Sequence, residues 1–376
     1  MRITFVIPND NLSGGIKVVA IYAAALRERG HEVLVVGNQL PSQPMSRLDR
    51  VMLRFGRIVD VPAAGSHFEG SGVAFRLYPP ARRLKASDFP DADVVIATWW
   101  TTAEVVLSLP PAKGRKVYLV QGHDVHPSQP LDRVRATLRS RMQKVVVSEW
   151  LRHLMSSLYG DASAILVPNG VDCSWFRSAS SRTRAERPTV GFVYSSHPVK
   201  GCDVALRAIA IARQTYPEMV VHAFGRHPIA GDTEAQRLIR YAYRPSQRDI
   251  VDTYAACDVW LFPSRAEGFG LPLLEAVACG TPLVATPAGA APEIIAAGAG
   301  LLAEMDNPES MSEGILQILG MSVDAWSKMS SRCIEVAQAH DWASSVVRLE
   351  SVLSGSIEAE HGQMSRADGE NKEALH

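Results

Sequence analysis

Two carboxylates eight residues apart, Glu267 and Glu275, are the first candidates for chemistry in this chain. They belong to the stretch F-P-S-R-A-E-G-F-G-L-P-L-L-E-A-V-A-C-G-T-P-L-V-A-T-P-A-G-A-A-P-E, residues 262–293. Glu267 shares a loop with Gly268 and Gly270, behind an apolar run from Val259 to Phe262 that reads as a buried parallel strand. Glu275 falls within the helix that follows, whose apolar face is Leu273, Leu274, Val277 and Ala278 and whose stop signals are Gly280 and Pro282. A glycine-rich loop opening a helix after a strand suits an anion, because free backbone N–H groups and the helix dipole both favour negative charge. Carboxylates beside it suit neutral hydroxyls. The local physics therefore expects a ligand that is both phosphorylated and rich in hydroxyls.

Other residues stand where the same grammar would place ligands. Gly14-Gly15 lies in a polar turn between a strand, Ile3 to Ile7, and a helix, about Ile16 to Arg29. The pair is not G-x-G-x-x-G, so a dinucleotide fold is not supported. His123 follows a strand from Lys116 to Val120, at the carboxyl end where ligands bind in open α/β sheets. Asp91-Ala92-Asp93 is literally D-x-D, but it opens a strand, so a structural lead-in is expected rather than a metal site. The basic stretch Arg133, Arg135, Arg139, Arg141 and Lys144 reads as a solvated helix face running to Gln143, with acceptor or membrane contact as the alternative.

The elements that must hold these residues repeat one pattern twice. Strands alternate with helices from Ile3 onwards, and they resume at Thr189 after a Ser/Arg-rich stretch without apolar periodicity. The expected division is 1–178, a linker at 179–187, a second domain at 188–340, a closing helix at 341–355 and a disordered tail at 356–376. Residues 39–92 show weaker periodicity and read as irregular strands and loops. The chain of 376 residues is long enough for two ordinary cores. It carries 39 Lys+Arg and 39 Asp+Glu, yet residues 1–178 hold 22 against 15, a charge of +7, which leaves −7 for the rest. Five scattered cysteines without a C-x-x-C pair suit reduced thiols and argue against a zinc site. The start, M-R-I-T-F-V-I-P, is too short an apolar run for a signal peptide, and no run of 18 apolar residues occurs.

The chain resembles the retaining family-4 glycosyltransferases of GT-B architecture over nearly its whole length. Pro263-Ser264, Glu267-Gly268-Phe269-Gly270-Leu271, Glu275-Ala276 and Gly280-Thr281-Pro282 are similar, residue for residue, to that family's E-x7-E signature. Gly30-His31-Glu32-Val33, Ser148-Glu149, Asn169-Gly170-Val171-Asp172 with Phe176, Lys200-Gly201 and Asp341-Trp342 add to the likeness. The resemblance implies two doubly wound, Rossmann-like α/β domains facing a central cleft. It also implies transfer of a sugar from a nucleotide diphosphate donor with retention, without metal or other cofactor. By position, Glu275 would take the ribose hydroxyls. Glu267, with the N–H groups of Phe269, Gly270 and Leu271 nearby, would hold the transferred sugar. Lys200 would bind the diphosphate, Gly14-Gly15 would let the first domain approach it, and His123 would face donor sugar and acceptor. The base would lie against Tyr243-Arg244-Pro245.

One departure concerns the phosphates. The family usually has an arginine five or six residues before the lysine, where this chain has Tyr194, Ser195 and Ser196; Arg226 is a candidate replacement by placement. The implied partners are a nucleotide-sugar donor and a carbohydrate, lipid-linked or small-molecule acceptor, with no nucleic acid. The implied location is cytoplasmic, with contact to the inner face of a membrane through the basic first half as a further expectation. A related GT-B enzyme of another reaction type and a non-catalytic nucleotide-sugar-binding subunit are the competing classes.

Overall fold

A computed structural model describes residues 1–40, 58–63, 65–80, 82–126, 128–177, 183–229 and 239–356. The start of the expected linker (179–182), with residue 178 before it, and nearly all of the expected tail (357–376) lie outside the described residues.

The first sheet has seven parallel strands in the order β3-β2-β1-β4-β5-β6-β7. They are β1 (Arg2–Asn9), β2 (Glu32–Asn38), β3 (Ala74–Tyr78), β4 (Val94–Ala97), β5 (Arg115–Val120), β6 (Gln143–Val146) and β7 (Ile165–Leu166). Helices α1 (Gly14–Glu28), α2 (Trp100–Ser108), α3 (Leu131–Leu138) and α4 (Glu149–Tyr159) connect them. The second sheet, also parallel, runs β10-β9-β8-β11-β12-β13. Its strands are β8 (Thr189–Tyr194), β9 (Val220–Gly225), β10 (Ile239–Tyr243), β11 (Val259–Phe262), β12 (Leu283–Ala285) and β13 (Gly300–Leu302). Its helices are α5 (Cys202–Ala212), α6 (Gln247–Ala255), α7 (Leu271–Ala278), α8 (Ala291–Ala296), α9 (Pro308–Leu319), α10 (Val323–Gln338) and α11 (Trp342–Ser354). The doubly wound α/β class expected from the alternating pattern is the one observed. Central strands such as Val94–Ala97 and Val259–Phe262 are buried at every position, because helices cover both faces.

The strand orders decide where ligands belong. In the first sheet the order reverses between β1 and β4, and in the second between β8 and β11. Such switch points open a crevice at the carboxyl ends of the strands. Gly14-Gly15, expected in the turn, open helix α1 behind the loop after β1, the loop after β8 carries Lys200, and the loop after β11 carries Glu267.

After α10 the chain crosses back to the first domain. Val171 N–H donates to His340 O (2.8 Å), and the ring of Trp342 packs edge-on against Tyr22 at 5.7 Å. Along α11, Glu350 pairs with Arg29 (2.5 Å) and with His31 Nε2 (2.6 Å). Arg115 donates to the carbonyls of Val352 and Leu353 at the helix end, both at 2.8 Å. The guanidinium adds to the bond that the Gly355 N–H makes to Val352 O (3.2 Å) and complements the dipole at the helix end.

Two local readings are corrected and one helix is added. The basic helix ends at Leu138, and Gln143 and Lys144 belong to β6. Lys144 is buried and bonded to Asp161 at 2.8 Å, so it is not on a solvated face. A helix, α2, begins directly after Trp99; its end is capped by Thr102, whose hydroxyl accepts from the N–H groups of Thr98 and Trp99 at 3.0 Å. The stretch 39–92 contains a regular strand, β3, in parallel register with β2. Asp91 and Asp93 are each bonded to a cation, Lys113 (2.9 Å) and Arg2 (3.0 Å), as befits a strand lead-in. The five cysteines are thiols.

Candidate active site

The loop after β11 brings Glu267 to the loop after β8. Lys200 Nζ lies 2.5 Å from Glu267 Oε1, and the Ser264 hydroxyl donates to the same oxygen at 2.8 Å. Lys200 reaches this point because Gly201 turns the chain with φ 61°, a left-handed conformation that glycine adopts at no steric cost. A Cβ there would also lie 2.0 Å from Pro263 O, so the two loops can meet only over a glycine.

Glu275 is held from both sides. Lys17 Nζ, from α1 of the first domain, lies 2.9 Å from Oε1. The buried Tyr254 hydroxyl donates to Oε2 at 3.0 Å. Burial, reinforced by the Glu275 charge, raises Tyr254 well above its usual range, so the phenol remains a donor. Neither Lys17 nor Tyr254 was singled out in the sequence. Lys17 stands three residues after Gly14, hence on the same helix face, and that spacing is the signal that could have found it.

The seam between the domains closes at glycines. A Cβ on Gly268 would fall 1.7 Å from Gln121 O, and Gly268 O accepts from Ser148 Oγ at 2.7 Å. A Cβ on Gly15 would touch the Gln121 amide at 3.6 Å, and one on Gly14 would touch Leu271 at the same distance. Thus Gly14, Gly15, Gly268 and Leu271 do converge. Gly270 is the N-cap of α7 with φ 94°, Phe269 before it is buried, and no side chain caps the helix. An anion can take that place.

His123 packs edge-on between Trp150 (6.3 Å) and Tyr159 (5.8 Å), with Nε2 2.7 Å from the Tyr159 hydroxyl. Burial, with the charge of Arg135, lowers its pKa, so the imidazole is neutral at pH 7. Arg226, after β9, is exposed; partial burial and the charge of Arg244 lower its pKa. Arg244 has φ 48°, its N–H donates to Gly225 O (2.8 Å), and its guanidinium lies 5.2 Å from the Tyr243 ring. The segment expected for the base therefore brings a second cation beside Arg226. The neighbouring cavity, about 580 Å³, is lined by Lys17, Glu275, Leu271, Gln247, Trp175 and Phe176. Among the described residues no group of three or more His, Cys, Asp or Glu converges as a metal site would.

Two doubly wound domains meeting over cation-held carboxylates define a GT-B fold, and solved structures share it. A sucrose-phosphate synthase from Thermosynechococcus elongatus superposes with a TM-score of 0.71 at 16% identity, covering 95% of this chain and 99% of that one. Anabaena HepE, solved with UDP-glucose, gives 0.70 at 18% identity over 94% and 100%. In sequence, residues 13–175 match the family model "Glycosyltransferase Family 4" and residues 187–321 match "Glycosyl transferases group 1". The chain belongs to the family-4 glycosyltransferases. It is 27% identical to the phosphatidyl-myo-inositol mannosyltransferase of Mycolicibacterium smegmatis over 95% of both chains. It is also 27% identical to a GDP-mannose-dependent phosphatidylinositol monomannoside mannosyltransferase of Corynebacterium glutamicum, over 45% of this chain and 50% of the relative. In that match and in those to two D-inositol 3-phosphate glycosyltransferases, the chain spans about half of the relative's length.

Proposed function

We propose that this protein transfers a sugar from a nucleoside diphosphate donor to an acceptor hydroxyl, with retention at the anomeric carbon, in the synthesis of a glycoconjugate. The observation that carries the reading is the pair of carboxylates beside the second domain's switch point, in the loop after β11 and in α7, each held by a lysine and a hydroxyl. Lys200 and Lys17 are bonded to Glu267 and Glu275. A donor would take both contacts over, its hydroxyls replacing ammonium groups at the carboxylates and its phosphates drawing the cations.

Cleavage of the anomeric C–O bond leaves the electron pair on a β-phosphate oxygen. Lys200, the uncapped end of α7 and the Arg226–Arg244 pair are the groups that would stabilise it, and positive charge placed where negative charge develops is usually the largest catalytic contribution. No metal is required for that neutralisation. The acceptor oxygen would attack from the face the phosphate leaves, and its proton would pass to the departing phosphate. Neutral His123 would hold a sugar hydroxyl. Formation of a covalent adduct on Glu267 is the competing route, and trapping a glycosyl-Glu267 species would establish it instead. Anabaena HepE was solved with UDP and with UDP-glucose, and the Corynebacterium relative is GDP-mannose-dependent; both favour a nucleotide-sugar donor without choosing the base.

The test is a donor screen. Slow hydrolysis of one UDP-, GDP- or ADP-sugar is expected, abolished in Glu267→Gln, with the released sugar in the donor's anomeric form. Binding of nucleotide without turnover in wild type, under any acceptor mixture, would make this a non-catalytic subunit.

A further inference from the structure

The fold parts the residues of the first domain's basic stretch, and Arg141 lies exposed beyond the helix end. Arg133 pairs with Glu104 at 2.6 Å, and Lys144 is buried in β6 against Asp161 at 2.8 Å. Arg135 and Arg139 are four residues apart, hence on one helical face, and they turn the other way. The Arg139 guanidinium lies 5.8 Å from the ring centre of Tyr159, whose hydroxyl is 2.7 Å from His123 Nε2. The charge of Arg135 is felt at both His123 and Tyr159, after burial as the larger influence on each. Arg135 is only half-exposed, and among the described residues neither it nor Arg139 has a carboxylate partner. A partly desolvated guanidinium without a counter-charge is unfavourable unless an anion arrives to bind it. Among the described residues, carboxylates meet Arg133 and Lys144 but not the two arginines beside His123.

We propose that the acceptor carries a phosphate ester, which docks on Arg135 and Arg139 and so presents the acceptor hydroxyl to the donor sugar beside His123. The inference rests on the transferase reading above and narrows its acceptor. Guanidinium forks match phosphate oxygens in pairs, and two of them one helical turn apart can grip one phosphate from two sides. The ester can come from a soluble sugar or polyol phosphate or from a phospholipid headgroup, which offer the same chemistry to the two arginines.

Glycerol 3-phosphate serves as the probe, since it is also the polar core of phosphatidylglycerol. With the donor site filled by whichever nucleoside diphosphate stabilises the protein best, titration should show glycerol 3-phosphate binding and glycerol not binding. Charged hydrogen bonds of this kind warrant a loss of at least about tenfold in Arg135→Ala and in Arg139→Ala. Arg133→Ala should bind as wild type does, and Arg135→Lys should recover part of the loss. The ring resonances of His123 give a local readout, because phosphate at Arg135 should raise the imidazole pKa in wild type and not in Arg135→Ala. Retention on phosphatidylglycerol vesicles, but not phosphatidylcholine ones, that both substitutions abolish would assign the phosphate to a lipid headgroup. Soluble binding without such retention would assign it to a free acceptor. Equal binding of glycerate, or equal losses in Arg133→Ala and Arg135→Ala, would overturn the proposal. If wild type hydrolyses no nucleotide sugar, the transferase reading fails; if it does and phosphate binds nowhere near His123, only this inference fails.

Discussion

Lys200 makes its visible bond to Glu267, yet its proposed work is on a phosphate that takes its place. The two roles predict different outcomes. As a mere partner of Glu267, partly exposed at 41%, it would contribute little, since exposed ion pairs rarely exceed about 1 kcal/mol. As a cation facing the leaving group, its loss in Lys200→Ala should lower kcat/KM roughly 100- to 1,000-fold. A fall of less than about threefold would fit the first role and exclude the second. The glutamates were legible because their spacing and flanking glycines belong to one continuous stretch. Lys17 and Tyr254 were not, since they reach Glu275 across 258 and 21 residues of chain; the spacing of Lys17 from Gly14 places it on a helix face but does not name its partner.

At the scale of elements, strands with a clean apolar run were legible from residue types alone; Val259–Phe262 and Arg115–Val120 fall within a residue of their expected limits. Departures came where a tertiary partner overrode local character. Lys144 reads as surface in a basic run, but Asp161 across the sheet edge makes its burial tolerable. Helix α2 lacks a favoured residue at its N-cap, because Thr102 performs the capping from inside the helix. The loop between β11 and α7 carries the clearest test at this scale. Gly268 has an ordinary φ, so alanine suits its own backbone, but the added Cβ would collide with Gln121 O at 1.7 Å. Gly268→Ala is expected to fold with a nearly unchanged Tm while losing most of its turnover and gaining radius of gyration in solution scattering, because the seam cannot close. Full activity at an unchanged radius would refute the closed seam as the working form.

Across the whole molecule, one carboxyl at the seam reports on pH. Glu293, in the first turn of α8, is pushed up to about 7 by burial; the Glu149 N–H it accepts from works the other way, and the Glu149 charge adds to the rise. Unfolded, the same group titrates near 4.5. Below that value both states hold the proton and the burial costs nothing. Between about 4.5 and 7 the unfolded chain releases its proton first, so stability falls as pH rises, and above 7 the full cost is in place. Glu293→Gln should therefore match wild type near pH 4.5 and melt higher than wild type at pH 8. Parallel melting curves across that range would remove Glu293 as their cause.

The return of α11 to the first domain also sets an order of events during synthesis. Arg29, His31 and Arg115 lie early in the chain, while Glu350 and the carbonyls of Val352 and Leu353 lie near its end. The ring of Tyr22 likewise waits for Trp342. A ribosome adding roughly 5–20 residues per second needs on the order of ten seconds or more to pass from the first domain to that helix. Throughout that interval the nascent first domain carries an uncovered apolar strip and two cations without their partner. Its sheet can form early, but the domain is finished only by α11, which is translated after the whole second sheet.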